Sequence, residues 1–145
     1  MFMLIISAFY TFAGISGFVA FLILGNYPSA VWAIVTGILS GFTTHLRWLK
    51  HKNYLNQWYD PKELIPLARV GFVFYTIGVM GVVYHTAIEI LSKKPLLPVK
   101  QSEVICIVWS FMTVKSGILL MFTARSYCKT RQQENCLPPN LSSTQ

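Results

Sequence analysis

The chain has 145 residues, of which 54% are hydrophobic and 12% are charged. Soluble domains carry about 25% charged residues, and here the first 46 residues contain no Asp, Glu, Lys or Arg. The net charge of +7 therefore does not indicate a nucleic-acid-binding domain, because most of the chain has no solvated face on which to spread charge. The excess of Lys and Arg is better explained as a membrane topology signal.

Four apolar stretches follow one another at about 3–24, 29–49, 70–91 and 104–123. Each is long enough for a membrane span, which needs about 20 residues. The first has no basic segment before it and is predicted to be retained rather than cleaved. A tight turn joins it to the second, and all seven prolines lie outside the stretches, so unkinked helices are expected.

The predicted fold is all-α: a membrane-embedded four-helix bundle over residues 1–127, followed by a polar, disordered cytosolic tail over 128–145. The basic residues predict its orientation, since eight lie on one side of the membrane and three on the other. The eight are Arg47, Lys50, Lys52, Lys62, Arg69, Arg125, Lys129 and Arg131, and the three are Lys93, Lys94 and Lys100. The positive-inside rule then places both termini in the cytosol.

The second stretch carries a histidine near its cytosolic end. Gly37, Gly41 and His45 follow at intervals of four residues and so share one helix face. The two glycines form a flat strip beside the imidazole, against which a planar ligand or another helix fits. A hydrogen bond from His45 to a neighbouring helix is the structural alternative.

The third stretch repeats this pattern near the opposite side of the membrane. Gly71, Gly78 and His85 recur every seven residues, and Glu89 follows one turn later. A His–Glu pair at this spacing is either structural or orients a metal-ligating histidine.

Lys115 lies near the centre of the fourth stretch, where a lysine costs about 2.5–3.5 kcal/mol to insert. We expect it to face a wet cavity, to pair with Glu89 or Glu103, or to meet an anionic ligand. Phe122, Arg125 and Tyr127, at the end of the stretch, are typical of an interface anchor.

Heme is one ligand that would use all these groups. Its iron takes His, Tyr, Met or Cys as axial ligands, and its propionates pair with Lys or Arg. The two histidines within spans lie on different helices near opposite sides. This favours a relay across the membrane over a bis-histidine electron-transfer site, whose two ligands share one depth.

A block in the fourth stretch reads Val108-Trp109-Ser110-Phe111, then Lys115, Leu119-Leu120, Ala124 and Tyr127. It resembles the last span of the heme-responsive gene (HRG) family of four-span heme transporters, solute carrier family 48. The segment from Phe122 to Tyr127 is similar to that family's exit motif Phe-Ala-Arg-Lys-Tyr, with Thr123 intervening and Ser126 replacing the lysine. Thr44-His45 and the aromatic residues up to Trp58 are similar to the second span, whose histidine is a proposed heme ligand.

The resemblance covers about residues 30–130 and implies a heme transporter, not an enzyme, that moves heme toward the cytosol as its substrate. The family often has a further histidine between spans three and four, where this chain has none; His85 is our inferred replacement. The resemblance and this inference together give the expected heme-contacting residues: His45 and His85 for iron, Lys93, Lys94 and Lys115 for propionates, and Phe122, Arg125 and Tyr127 at the exit.

Two other functions stay open: a tetraspan scaffold or proton-pump accessory subunit without a ligand of its own, and a membrane-bound redox enzyme. The expected partners are heme, the lipid bilayer, further copies of the chain in a dimer or trimer, and a proton pump, with no nucleic acid. The tail has no acidic dileucine sorting signal, which favours the plasma membrane over endosomal or lysosomal membranes.

Overall fold

A computed structural model describes residues 2–92 and 103–136. Its elements are all helical: α1 (Phe2–Ile23), α2 (Tyr27–His51), α3 (Leu55–Trp58), α4 (Pro61–Ser92) and α5 (Glu103–Cys136). All but the short α3 are long and apolar enough to cross a membrane. The predicted all-α class with four span-length helices is confirmed.

The predicted tight turn between the first two helices is also confirmed. Gly25 adopts a positive φ of 73°, which favours glycine and ends α1. Asn26 caps α2, since its side chain accepts a hydrogen bond from the Ser29 backbone N–H. The two helices then run antiparallel, and Gly14 lies directly against Gly37.

Two helices extend well beyond the predicted spans. α4 begins at Pro61 rather than near residue 70, and it contains Pro66. α5 continues to Cys136, so residues 128–136 of the predicted disordered tail are helical, while 137–145 lie outside the described residues. The reason is that hydropathy marks only the apolar part of a helix. An established helix gains one backbone hydrogen bond for each residue added, whatever the polarity of its side chain.

α4 packs antiparallel on α5, and α2 joins this pair to α1 by packing on both α1 and α5. α2 and α5 run in the same direction, and hydroxyl and thiol groups pair between them at a nearly constant register. The pairs are Ser29–Cys106 at 3.1 Å, Thr36–Thr113 at 2.9 Å and Ser40–Ser116 at 3.1 Å. Small polar residues at such an interface let the backbones approach and bond across it.

The seven-residue repeat on α4 forms a buried face. Gly71, Gly78 and His85 are all buried. A Cβ atom on Gly71 would lie 2.8 Å from the Gly117 carbonyl oxygen, so α4 and α5 are in backbone contact there.

The bundle differs from a soluble protein in the polarity of its outer surface. Its interior contains many Ser and Thr side chains, whereas large apolar side chains cover its outside. Phe9 is 68% exposed and Leu91 is 84% exposed. Such a continuous apolar surface would be an aggregation liability in water, but it suits a lipid environment. Together with the four long helices, it indicates an integral multi-pass membrane protein.

The bundle has two ends of different composition. The turn end contains the Gly25–Asn26 turn, the last turns of α4 and the first turns of α5. The basic end is opposite, where α2 finishes and α4 begins, and it contains Arg47, Lys50 and Arg125.

Candidate functional site

His85 lies at the turn end between two hydrogen-bond partners. Its Nδ1 is 2.7 Å from Glu103 Oε2, and its Nε2 is 3.2 Å from Trp32 Nε1. An indole N–H can only donate, so Nε2 is the unprotonated nitrogen. The ring proton is therefore on Nδ1, which donates to the Glu103 carboxylate.

This geometry changes the role expected for His85. The carboxylate partner is Glu103 on the neighbouring helix and not Glu89 one turn away. Glu89 Oε2 is buried without a hydrogen-bond partner among the described residues. Since both ring nitrogens of His85 are engaged and the residue is only 7% exposed, it offers no free nitrogen to heme iron in this conformation.

Cys106 completes a cluster with these two residues. One ligand atom from each of His85, Glu103 and Cys106 lies within 4.8 Å of the others. The Cys106 thiol is buried and lies 3.1 Å from the Ser29 hydroxyl. The cluster was not predicted, although Glu103 and Cys106 are three residues apart and so share a face of α5.

The basic end contains a cavity with a volume of about 610 Å³. Its lining combines Phe122 and Tyr127, both predicted site residues, with cations of α2 that the sequence assigns to topology. The lining residues are Met3, Leu4, Arg47, Lys50, His51, Phe122, Thr123, Ser126 and Tyr127. None of these is acidic, so the cavity favours an anionic group.

Contacts within this cavity hold two of the cations in place. Lys50 Nζ lies 4.3 Å from the centroid of the Tyr127 ring, a cation–π contact. Arg47 Nη1 donates a 2.7 Å hydrogen bond to the Met3 carbonyl oxygen. The cations therefore line the cavity beside an aromatic wall, with metal-binding groups available from His51 and Tyr127.

Arg125 belongs to a different part of the basic end. It lines a separate cavity of about 270 Å³ between α4 and α5, together with Arg69 and Lys129. Residues two apart on a helix point to nearly opposite sides, so Arg125 and Tyr127 do not share a cavity. The structure thus divides the predicted exit group in two.

His45 faces an open groove of about 340 Å³ lined by Ile38, Gly41, Phe42 and His45. Its Nδ1 lies 3.5 Å from the Tyr59 hydroxyl, and the edges of the Trp58 and Tyr59 rings approach it. Half of the predicted glycine strip is closed, because Gly37 is covered by α1. The half beside His45 remains open.

Lys115 lies on the outside of the bundle, beside an apolar groove of about 240 Å³. Its Nζ is 2.6 Å from the Tyr10 hydroxyl and 4.7 Å from the centre of the same ring. The partner that the structure shows is thus a phenol, whereas Glu103 bonds to His85. The remaining predicted site residues, Lys93 and Lys94, lie outside the described residues.

No family model, no curated protein and no solved structure matches this chain.

Proposed function

We propose that the protein is a multi-pass membrane transporter that carries heme toward the cytosol. The observation that carries this proposal is the cavity at the basic end, which brings Arg47, Lys50 and His51 of α2 together with Phe122 and Tyr127 of α5. Its volume of about 610 Å³ is within the usual range for small-molecule sites, about 300–1,000 Å³.

The lining supplies each interaction that heme requires. Arg47 and Lys50 would pair with the two propionates, because charge-assisted hydrogen bonds to carboxylates are strong. Phe122 would pack on a porphyrin face. Tyr127 or His51 would supply an axial ligand to iron. By the positive-inside rule the basic end faces the cytosol, which makes this cavity the exit site.

The route through the membrane is proposed to follow the outside of the bundle. Hydroxyl pairs close the interface between α2 and α5, whereas the grooves at Lys115 and His45 both open outward. A dimer or trimer that buries these grooves would enclose the path. Lys115 would then compensate propionate charge in mid-membrane, and Lys93 and Lys94 would attract heme on the opposite side. The proposed location is the plasma membrane, with endosomal or lysosomal membranes as alternatives.

The test is a heme titration of the full-length protein in detergent micelles. Each charge-assisted hydrogen bond contributes about 1.5–3 kcal/mol, so the double variant Arg47→Ala/Lys50→Ala should bind heme at least about 10-fold more weakly. Tyr127→Phe should change the absorption spectrum of bound heme if the phenol ligates iron. The matched control is Lys62→Ala, which removes an exposed cation from α4 at the same end. It should bind heme as the wild type does.

Equal weakening by Lys62→Ala and the double variant would overturn the assignment of the cavity. The other function classes give different results in the same experiment. A scaffold or proton-pump accessory subunit predicts no saturable heme binding. A redox enzyme predicts stoichiometric heme that stays with the protein through purification. Growth of a heme-auxotrophic cell on low heme then tests transport itself.

A further inference from the structure

We propose that His85, Glu103 and Cys106 form a binding site for a divalent transition-metal ion of the zinc type at the turn end. The site is distinct from the basic-end cavity, and it does not depend on heme transport. One nitrogen, one oxygen and one sulfur ligand atom lie within 4.8 Å of one another. They come from two helices that run antiparallel.

The donor set matches the chemistry of Zn²⁺. This ion binds imidazole, carboxylate and thiolate groups at about 2.0–2.3 Å, with tetrahedral geometry. Ligand atoms in such a tetrahedron are about 3.5 Å apart. His85 Nδ1 and Glu103 Oε2 are 2.7 Å apart, and all three ligand atoms lie within 4.8 Å of one another. Small side-chain rotations would therefore bring all three onto one ion.

Residues of α2 lie behind the cluster and bond to it in the metal-free state. Trp32 donates to His85 Nε2, and the Ser29 hydroxyl contacts the Cys106 sulfur. His85 and Cys106 are buried, while the Glu103 side chain is 19% exposed. Glu103 thus provides the way in from the surface. Three protein ligands leave a fourth position for water or a further ligand.

Metal binding has a defined proton balance. In the metal-free site, the Nδ1–H group of His85 donates a hydrogen bond to the Glu103 carboxylate. When Nδ1 binds the ion, this proton moves to Nε2, which can then no longer accept a hydrogen bond from Trp32. The Cys106 thiol loses its proton to solvent, because the thiolate is the metal ligand. Binding therefore releases one proton and breaks the bond between Trp32 and His85.

The experiment titrates Co²⁺ alone into full-length, chelator-treated protein in detergent, followed by competition with Zn²⁺. One Co²⁺ per chain should bind with a thiolate-to-metal charge-transfer band, and Zn²⁺ should displace it. Apparent affinity should rise about tenfold per pH unit while the thiol is protonated, since one proton is released. The absence of Co²⁺ binding to the wild type would overturn the proposal without any variant.

The three cysteines of the chain provide a matched control. Cys106→Ser should abolish the charge-transfer band. The double variant Cys128→Ser/Cys136→Ser, which leaves Cys106 as the sole thiol, should retain it. His85→Ala should lower affinity at least about tenfold, as even indirect partners of metal ligands contribute about 10–100-fold. Persistence of the band in Cys106→Ser, or its loss in the double variant, would refute the site.

A folding control distinguishes the loss of a binding site from misfolding of the variant. Size-exclusion elution of each variant reports the fold without reference to either ligand. Because the basic-end cavity contains none of the three metal-site residues, a protein that binds Co²⁺ but no heme would refute heme transport alone. A protein that binds heme but no Co²⁺ would refute the metal site alone.

Discussion

The two ends of this bundle use polar side chains in opposite ways. At the turn end, Trp32, His85 and Glu103 bond to one another within a closely packed interior. At the basic end, Arg47 and Lys50 surround an open cavity that contains no acidic lining residue. The same helices thus form a closed polar cluster at one end and an unneutralised cationic site at the other.

The difference follows from whether the polar side chains are buried or lie near solvent. Glycines of α4 allow tight contact toward the turn end, where the ring of Trp32 packs against Gly81. Buried polar groups in such packing must find partners, since an unmade hydrogen bond costs about 1–3 kcal/mol. At the basic end the cations remain near solvent and can stay unpaired until an anion arrives. We expect substitutions at the turn end to affect stability, and those at the basic end to affect ligand binding.

The largest effect is expected at the backbone contact between α4 and α5. A Cβ atom at Gly71 would lie 2.8 Å from the Gly117 carbonyl oxygen and 2.9 Å from the Met121 nitrogen, both backbone atoms. Gly71→Ala should therefore lower the free energy of unfolding by about 3 kcal/mol, the upper part of the range for overpacking. Gly41→Ala is the control, because its Cβ would meet only a methyl group of Thr11 at 3.7 Å. Thermal unfolding in detergent measures the stability of both variants. Equal losses of stability in Gly71→Ala and Gly41→Ala would contradict a close backbone contact at Gly71.

A substitution at the turn end should cause a smaller loss of stability and leave ligand binding at the basic end unchanged. Glu103→Ala leaves the buried Nδ1–H of His85 without its acceptor, which costs about 2 kcal/mol. Heme affinity at the basic end should not change. Glu63→Ala instead removes an exposed carboxylate that accepts a hydrogen bond from the Asp60 backbone N–H, and it should cost about 1 kcal/mol. If Glu103→Ala weakens heme binding as much as it lowers stability, the two ends are not independent.

Lys115 tests whether a charge between the two ends stabilises the fold or serves transport. Lys115→Met keeps the length of the side chain and removes a cation from the apolar outside. Because a central lysine costs about 2.5–3.5 kcal/mol in lipid and its contact with a phenol returns only part of this, we expect a gain of about 1 kcal/mol. Cellular heme uptake should fall at the same time. A drop in thermal stability with normal uptake would show that the charge is structural.

The smallest effect on stability is expected at the basic end. Lys50→Ala removes one cation–π contact with Tyr127, which contributes about 0.5–1 kcal/mol at an exposed position. Its clearer consequence is on salt dependence, since screening weakens exposed charge pairs. Heme affinity measured at low and high ionic strength should fall less steeply with salt in this variant than in the wild type. Identical slopes would mean that Lys50 does not contact the ligand.

Several features of the fold were predictable because they are local. Hydropathy located four helices. The seven-residue spacing placed Gly71, Gly78 and His85 on one helix face, which is buried in the structure. Even the separation of Arg125 from Tyr127 follows from helix geometry, since they are two residues apart. Helix ends were less predictable, because polar residues extend a helix without any change in its hydropathy pattern.

The partners across helices were not predictable in the same way. The sequence pairs His85 with Glu89, one turn away on the same helix, and only the register of α4 against α5 selects Glu103 instead. Likewise, Arg47 and Lys50 count as topology signals wherever their side chains point. Their position around a cavity depends on how α1, α2 and α5 meet. These contacts between helices are determined by tertiary packing, which local sequence patterns do not reveal.

The paired hydroxyls between α2 and α5 have a mechanical consequence. The offset in residue number is 77 at Ser29–Cys106, 77 at Thr36–Thr113 and 76 at Ser40–Ser116, so the three pairs share one axial alignment of the two helices. Sliding one helix along the other would break all three hydrogen-bonded pairs at once. The three pairs therefore act together against an axial slide of α2 along α5, and they fix the height of the turn end relative to α5.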